Sequence, residues 1–284
     1  MPQPDERPQS GTELADALKQ LRKAANLSGE RLAARCAMSQ SKISRIERGR
    51  ILPTVVDVER LLKALEVPDE IERELVALAR RANVQHTSWR TAAEMGLWRQ
   101  QDELKALAQS STIVRQFLPA IPSGLLQTEE YARQVLEPTV PGDVSWNAQR
   151  AVRARMESQE VLGDTSRRFI FLMPEHAIRW NRVDREVMAA QCAHMANMSE
   201  RPNLDIAVIP QSAKVRAAPL NVFVIYDERL VSAELFSGKV VLRDPRDIAY
   251  HLNLFEFFYS HALTGDNATA FLRSVSDDFM RERG

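Results

Sequence analysis

The sequence predicts a mainly α protein whose C-terminal part is α+β, an all-α unit being followed by an antiparallel sheet with helices. Three observations predict it. Between residues 12 and 82 apolar residues recur at helical spacing, with no strand signal among them. Beyond residue 167, short runs rich in Val, Ile and Phe read as strands. The last three of these runs are joined by only a few residues, which implies antiparallel pairing.

In chain order, residues 1–11 are polar and proline-bearing and read as a flexible tail. Residues 12–82 read as five short helices. Leu14, Leu18 and Leu21 fall at i, i+4 and i+7, on one face of the first. Ser28 caps a second helix running to about Cys36, and Ser39 caps a third ending near Arg48, with Gly49 just past it. Pro53 and Thr54 open a fourth, with Val55, Val58, Leu62 and Leu65 as its apolar face; Ile71, Leu75 and Leu78 mark a fifth. Residues 83–166 read as a helical connecting region, with helices over 94–110, 129–136 and 147–162 and loops at Pro119, Pro122, Pro138 and Pro141. Residues 167–284 read as an α+β domain, with strands at 168–173, 204–209, 221–226, 231–236 and 239–242 and helices over 184–198, 245–262 and 267–281.

Composition narrows the function classes. The 284 residues carry 38 Lys and Arg against 38 Asp and Glu, so a chain basic throughout is excluded while a local basic patch is not. Cys36 and Cys192 lie far apart, which excludes a disulfide scaffold and a cysteine zinc cluster and fits a reducing cytoplasm. No apolar run approaches the roughly 20 residues of a membrane span, and the first residues hold no apolar signal core. The expectation is a cytoplasmic protein with no membrane partner.

The strongest motif is Leu27-Ser28-Gly29-Glu30-Arg31-Leu32-Ala33 followed by Ser39-Gln40-Ser41-Lys42-Ile43-Ser44-Arg45-Ile46-Glu47-Arg48-Gly49. Two short helices are separated by Ala37-Met38-Ser39, with small Ala33 where two helices would cross closely. Ile43 and Ile46 point inward, leaving Gln40, Ser41, Lys42, Ser44 and Arg45 outward, which is what an α-helix needs to read a major groove. Residues 13–50 hold nine basic and four acidic residues, which concentrates attraction for phosphates here. The bland alternative is a helical bundle with a solvated basic face, or a motif used for protein contacts.

At these residues the sequence resembles the Xre-type (lambda-Cro-like) helix-turn-helix family, over about residues 13–67. The resemblance implies an N-terminal DNA-binding domain, usually dimeric on a near-palindromic operator of double-stranded DNA. Carried over by position, Gln40, Ser41, Lys42 and Arg45 would face bases, and Ser28, Arg48 and Arg50 would lie near phosphates. Arg22 and Glu47 match a structural pair that holds the first helix to the third. Gly29 stands where many members carry a DNA-reaching Gln, and Ala37 where the turn usually has Gly; a left-handed Ala there costs roughly 1 kcal/mol.

A second resemblance is carried by Ile121-Pro122-Ser123-Gly124-Leu125-Leu126-Gln127-Thr128-Glu129-Glu130-Tyr131-Ala132, by the stretch from Arg153 to Leu162, and by Glu175-His176-Ala177-Ile178-Arg179. These look like segments of actinobacterial WhiJ-like, antitoxin-like regulators, although Ser123 interrupts the usual Pro-Gly pair. That resemblance implies a transcriptional regulator, often encoded beside a small companion protein that it binds.

No catalytic signature stands out: there is no H-E-x-x-H, no G-x-S-x-G and no Gly-rich phosphate loop. The five histidines, His251 and His261 among them, read as surface or satisfied core residues, and no metal or cofactor is expected. Met188, Met195 and Met198 with Cys192 read as a packed helix face, and a redox role for Cys192 would need a lowered pKa and exposure. The run from Leu254 to Tyr259 is apolar on two helix faces, so it is either core or a dimer or partner surface. Arg150, Arg153, Arg155, Arg167 and Arg168 form a second basic cluster, either a solvated face or an extra DNA contact. Trp89, Trp98, Trp146 and Trp180 lie outside the DNA-binding unit. The expected function is a sequence-specific, nucleoid-associated, non-enzymatic transcriptional regulator. Its C-terminal domain would mediate homodimerisation and response to a small companion protein or small-molecule effector. The alternative is an antitoxin-like module that sequesters a small protein, with DNA binding secondary.

Overall fold

The computed structural model describes residues 9–89, 106–137 and 147–281. The chain forms two compact units, Met1–His86 with Val241–Asp247, and Thr87–Val240 with Ile248–Gly284. Trp98, Trp146, Pro138, Pro141 and most of the helix expected over 94–110 lie outside the described residues. No described helix is long and apolar enough to cross a membrane.

The first unit is the expected set of five helices: α1 Gln9–Ala24, α2 Gly29–Arg35, α3 Gln40–Glu47, α4 Val55–Leu65 and α5 Asp69–Ala82. α1 begins inside the stretch expected as a tail, because residues 9–11 carry no helix breaker except Gly11 and continue directly into an apolar helical face. The next three helices each start on a capping side chain, whereas α5 starts on Pro68 without one. Ser28 accepts from the Arg31 amide, Ser39 from the Lys42 amide, and Thr54 forms a reciprocal box with Asp57. The inward residues Leu14, Leu18, Leu32, Ala33, Ile43, Ile46, Val58, Leu62 and Leu75 form one buried cluster. Asn83, itself buried, donates to Pro53 O and Ala79 O, both at 2.9 Å, and so ties the end of α5 to the approach to α4. In the returning segment, the Arg246 guanidinium meets Glu59 at 2.9 Å.

The sheet comprises β1 Val84–Ser88, β2 Ile113–Phe117, β3 Arg168–Pro174, β4 Leu204–Ile209, β5 Val222–Tyr226, β6 Leu230–Leu235 and β7 Gly238–Leu242, in the order β1-β7-β6-β5-β2-β3-β4. The described helices of the second unit are α6 Glu129–Val135, α7 Ala148–Ser158, α8 Glu175–Arg179, α9 Arg185–Met198, α10 Pro245–Tyr259, whose first residues belong to the other unit, and α11 Gly265–Arg281.

Two features depart from expectation. First, the region read as mostly helical contributes two strands, and β2 is an inner one. It was hidden because polar Arg115 and Gln116 break its apolar run after two β-branched residues. Second, the sheet is mixed. The hairpin strands β5 and β6 pair antiparallel, as do β2 and β5, but β2 runs parallel to β3 and β3 parallel to β4. Helices α8 and α9 lie between β3 and β4 in sequence, and such a helical crossover is what returns a strand parallel to its predecessor.

β2 and β5 alternate in register, so Phe117 pairs with Phe223 on one face and Gln116 with Val224 on the other. α10 covers the first of these faces, with Phe258 stacked on Phe117 at 4.5 Å between ring centroids. Phe255 and Phe258 are buried while Phe257 and Tyr250 are exposed, so the aromatic run divides between core and surface. α10 ends at Tyr259, so His261 lies beyond it. His251 sits edge-on to Phe223, and His261 Nδ1 lies 2.8 Å from Phe257 O. Met188, Cys192 and Met195 are buried on α9, and burial pushes the Cys192 thiol up to about 12, the opposite of what a redox thiol needs. At Gly238 the chain of β1 approaches so closely that a Cβ would stand 2.2 Å from Thr87 O, which only glycine permits.

Candidate nucleic-acid interface

α3 owes its orientation to its own alternation. Ile43 and Ile46, 2% and 1% exposed, are sunk into the core of the unit, so the intervening positions must face outward. Gln40, Ser41 and Arg45 are exposed along that outer side. Ser28 at the start of α2 is exposed as well, as are Arg48 and Arg50 just beyond α3.

The helix is fixed from behind by one ion pair. Arg22 Nε lies 2.6 Å from Glu47 Oε1 and Arg22 Nη2 2.8 Å from Oε2, a two-pronged contact between α1 and the last residue of α3. The same guanidinium donates to Leu27 O at 2.8 Å, so α1, the approach to α2 and α3 share one anchor. The hydrogen bonds it donates to Glu47 raise the Arg22 pKa further and keep it charged.

The turn between α2 and α3 passes through Ala37 at φ +52°, the left-handed region where a Cβ is strained. The position demands what glycine would supply, and Ala bears the cost. At Gly29, where a side chain could reach out, the added Cβ would meet only Gln40 Nε2, at 3.9 Å.

Two of the expected contact residues are engaged within the unit. Lys42 Nζ lies 2.7 Å from Asp57 Oδ1, and its side chain is 41% exposed. Arg48 folds back on α3, with Nε donating to Ser44 O at 3.0 Å and Nη2 meeting Ser44 Oγ. Sequence reasoning missed Asp57, which caps α4 through one oxygen and holds Lys42 through the other. The Thr54-x-x-Asp57 spacing was the available signal.

The second basic cluster does not form a common face. Arg150 and Arg153 are exposed on α7, Arg167 pairs with Asp164 at 2.8 Å, and Arg168 lies 3.5 Å from Asp205. Arg155 turns inward and donates to Gln127 Oε1 at 2.8 Å. The physical reason is helical phase: Arg155 shares a side of α7 with buried Ala151, Val152 and Ser158, whereas Arg150 and Arg153 lie off it.

The profile of a helix-turn-helix domain matches residues 13–76, which span α1 to α4 and half of α5. That of a domain of unknown function, DUF5753, matches residues 101–274, more than half of the chain. The chain belongs to the DUF5753 family. Its DUF5753 domain thus follows a helix-turn-helix domain, and the family carries no specific regulator or antitoxin identity with it. No curated protein matches the chain. Among solved structures it is similar to Nuc, a phospholipase D family member from Salmonella typhimurium, at 10% identity over 64% of this chain and 97% of that one, with a TM-score of 0.36. It is also similar to TrmBL2, an archaeal chromatin protein, at 12% identity over 72% of this chain and 65% of that one, with a TM-score of 0.32. Both scores are too low to establish a shared fold with either.

Proposed function

We propose that this protein is a sequence-specific DNA-binding transcriptional regulator of the Xre type, acting on the nucleoid without a catalytic step of its own. The observation that carries the reading is the outer side of α3: Gln40, Ser41 and Arg45 exposed in a row, on a helix locked from behind by Ile43, Ile46 and the Arg22–Glu47 pair. A rigid helix presenting amide, hydroxyl and guanidinium groups matches the donor and acceptor pattern of base edges in a major groove. Ser28, Arg48 and Arg50 flank it where phosphates run beside such a groove.

One helix of this length covers only a half-site, so the reading includes a homodimer on a near-palindromic operator. The DUF5753 domain would then supply dimerisation and the response to a companion protein or small effector. A modulator acts only if it binds the DNA-competent and DNA-incompetent states with different affinity.

Sequencing of DNA selected from a random pool by the full-length protein tests this directly. The expected result is an enriched inverted repeat. Arg45→Ala is expected to cost about 1–3 kcal/mol on that site and to relax one base position. Arg48→Ala should weaken binding evenly across sequences and flatten its salt dependence. Equal losses on selected and random DNA for Arg45→Ala would remove the base-reading role, and no enriched sequence at all would overturn the function.

A further inference from the structure

A cavity of about 170 Å3 lies within the second unit, on the face of the sheet turned away from α10. Its floor is laid by register. Val114 stands opposite Tyr226, Gln116 stands opposite Val224, Val224 opposite Ser232, and Val222 opposite Glu234, all on the same face of β2, β5 and β6. Its roof comes from two separate segments already notable in the sequence, the loop 121–127 and the stretch 155–161.

The loop is held by glutamines. Gln159 Nε2 donates to Gly124 O at 2.9 Å and Gln127 O at 2.8 Å. Gln191 donates to Leu126 O at 2.7 Å and accepts from the Thr128 amide at 2.8 Å. Gln127 donates to Pro122 O at 2.8 Å and presents its oxygen to Arg155 Nη1. Ser123, the residue that interrupts the Pro-Gly pair, donates to Gln116 Oε1 at 2.7 Å and so ties loop to floor. Gly124 packs over Arg155: an added Cβ would stand 3.1 Å from Nε, 3.4 Å from Cδ and 3.5 Å from Cζ. Near-equal distances to these bonded atoms place it over the flat face of the guanidinium, leaving the edge unobstructed from that side.

Arg155 Nε is buried and has no hydrogen-bond partner. A buried cationic donor left unpaired is costly, and its neighbours are arranged to hold it there rather than to satisfy it. The Nε and Nη2 hydrogens form the edge that takes a carboxylate side-on in two parallel bonds. Glu234 also lines the cavity, at the Val222 end, and feels the charges of both Lys239 and Arg155, so the three groups together leave one positive charge. The remaining walls join apolar side chains, Val114, Leu118, Val161 and Val224 among them, to the neutral polar groups of Gln116, Ser158 and Ser232. A cavity of roughly 150 Å3 accommodates a benzene-sized guest, whereas a single water needs only about 10–15 Å3.

We propose that this cavity binds a small organic carboxylate with an apolar body, roughly six to nine non-hydrogen atoms in all, its carboxylate held by Arg155 and its body by the valine floor. Such a site gives the second unit a ligand of defined chemistry. It stands independently of DNA binding, because affinity for the carboxylate alone decides it.

The test is calorimetric titration and thermal denaturation of the full-length protein with benzoate and isovalerate. Benzamide and isovaleramide serve as uncharged counterparts and inorganic phosphate as a bare anion. At least one carboxylate should saturate at one per chain and raise Tm by about 3 °C at ten times its Kd. Its amide should bind at least tenfold more weakly, and phosphate should not compete. Arg155→Met should weaken the carboxylate at least tenfold. Val224→Phe, which keeps Arg155 and fills the floor, should abolish binding while the circular dichroism spectrum of the folded protein is retained. If Arg155→Met fails to fold, the contrast between carboxylate and amide in the unaltered protein still decides. No saturable carboxylate, equal binding of carboxylate and amide, phosphate binding as tightly, or unchanged affinity in folded Arg155→Met would each overturn the proposal.

Discussion

The two units spend their polar side chains in opposite directions. In the helix-turn-helix unit the interior is mainly an apolar cluster, with Asp57 and Asn83 as buried polar residues at helix ends, and the groups able to recognise something, Gln40, Ser41 and Arg45, stand outside on a single helix. In the second unit Gln116, Ser123, Gln127, Ser158, Gln191 and Ser232 are all buried, and most of them are tied to one another or to a loop backbone. An outward array meets a large partner by adding nothing to the fold. An inward network shapes a small, partly open space and is itself part of what holds the fold together. The same residue type therefore carries different consequences in the two places, and glutamine shows it most sharply.

That contrast can be broken by substitution. Gln191→Ala orphans Leu126 O and the Thr128 amide and leaves a void. It is expected to lower the stability of the second unit by about 3–5 kcal/mol, measured by chemical denaturation. Gln40→Ala, exposed on α3, should stay within about 0.5 kcal/mol in the same measurement. Similar costs for the two would erase the distinction.

A smaller effect is expected where the first unit does use a polar contact internally. Arg22→Ala strands Glu47, whose side chain is 11% exposed, and should cost about 2–3 kcal/mol, with Arg22→Ala/Glu47→Ala partly recovering it. An additive double mutant would deny the pair its clamping role.

Within the outward array, Lys42 is the exception, since Asp57 already holds its ammonium. Lys42→Met should therefore reduce operator affinity by about 1 kcal/mol or less, below the loss from Arg45→Ala. Filter binding with both variants ranks them, and the reverse order would place Lys42 on the DNA. In the turn before α3, Ala37→Gly relieves a left-handed Cβ and should raise the melting stability of the first unit by up to about 1 kcal/mol.

The smallest effect concerns pH. Burial lowers the pKa of His194 on α9 below its ordinary value of 6.5, so below that value the unfolded chain takes up the proton that the folded chain resists. The contribution is fully present above pH 6.5 and is lost as pH falls from there through the folded-state value. Melting curves between about pH 5 and 7.5 should show this decline, and His194→Gln should flatten it.

How much of this was legible in the residues themselves follows from the same contrast. α3 could be read directly because capping Ser39, inward Ile43 and Ile46 and outward Gln40 and Arg45 all lie within eight consecutive residues, so one helical period sorts them. The five helices and five of the strands were legible for a similar local reason. β2 was not, since its inner polar residue Gln116 serves the cavity face and so breaks the alternation that marks a strand. Arg155 was taken with its basic neighbours because charge counts along a chain do not record which way a helix is turned. Only the packing of Gly124 over it and the bond it donates to Gln127, nearly thirty residues away, set it apart. Residues that converge from distant segments leave no periodic trace.

The place of β2 has a consequence for how the chain is made. Leaving the ribosome, this strand has neither lateral partner: β3 is still to be synthesised, and β5 follows only after α9 and β4. A nascent chain halted before Val222 keeps one raw edge on Ile113–Phe117, and a fragment starting after Phe117 keeps raw edges on both β3 and β5. Long-range closure of this kind is slow and favours chaperone capture, so truncated forms of the second unit are expected to aggregate where the intact chain does not.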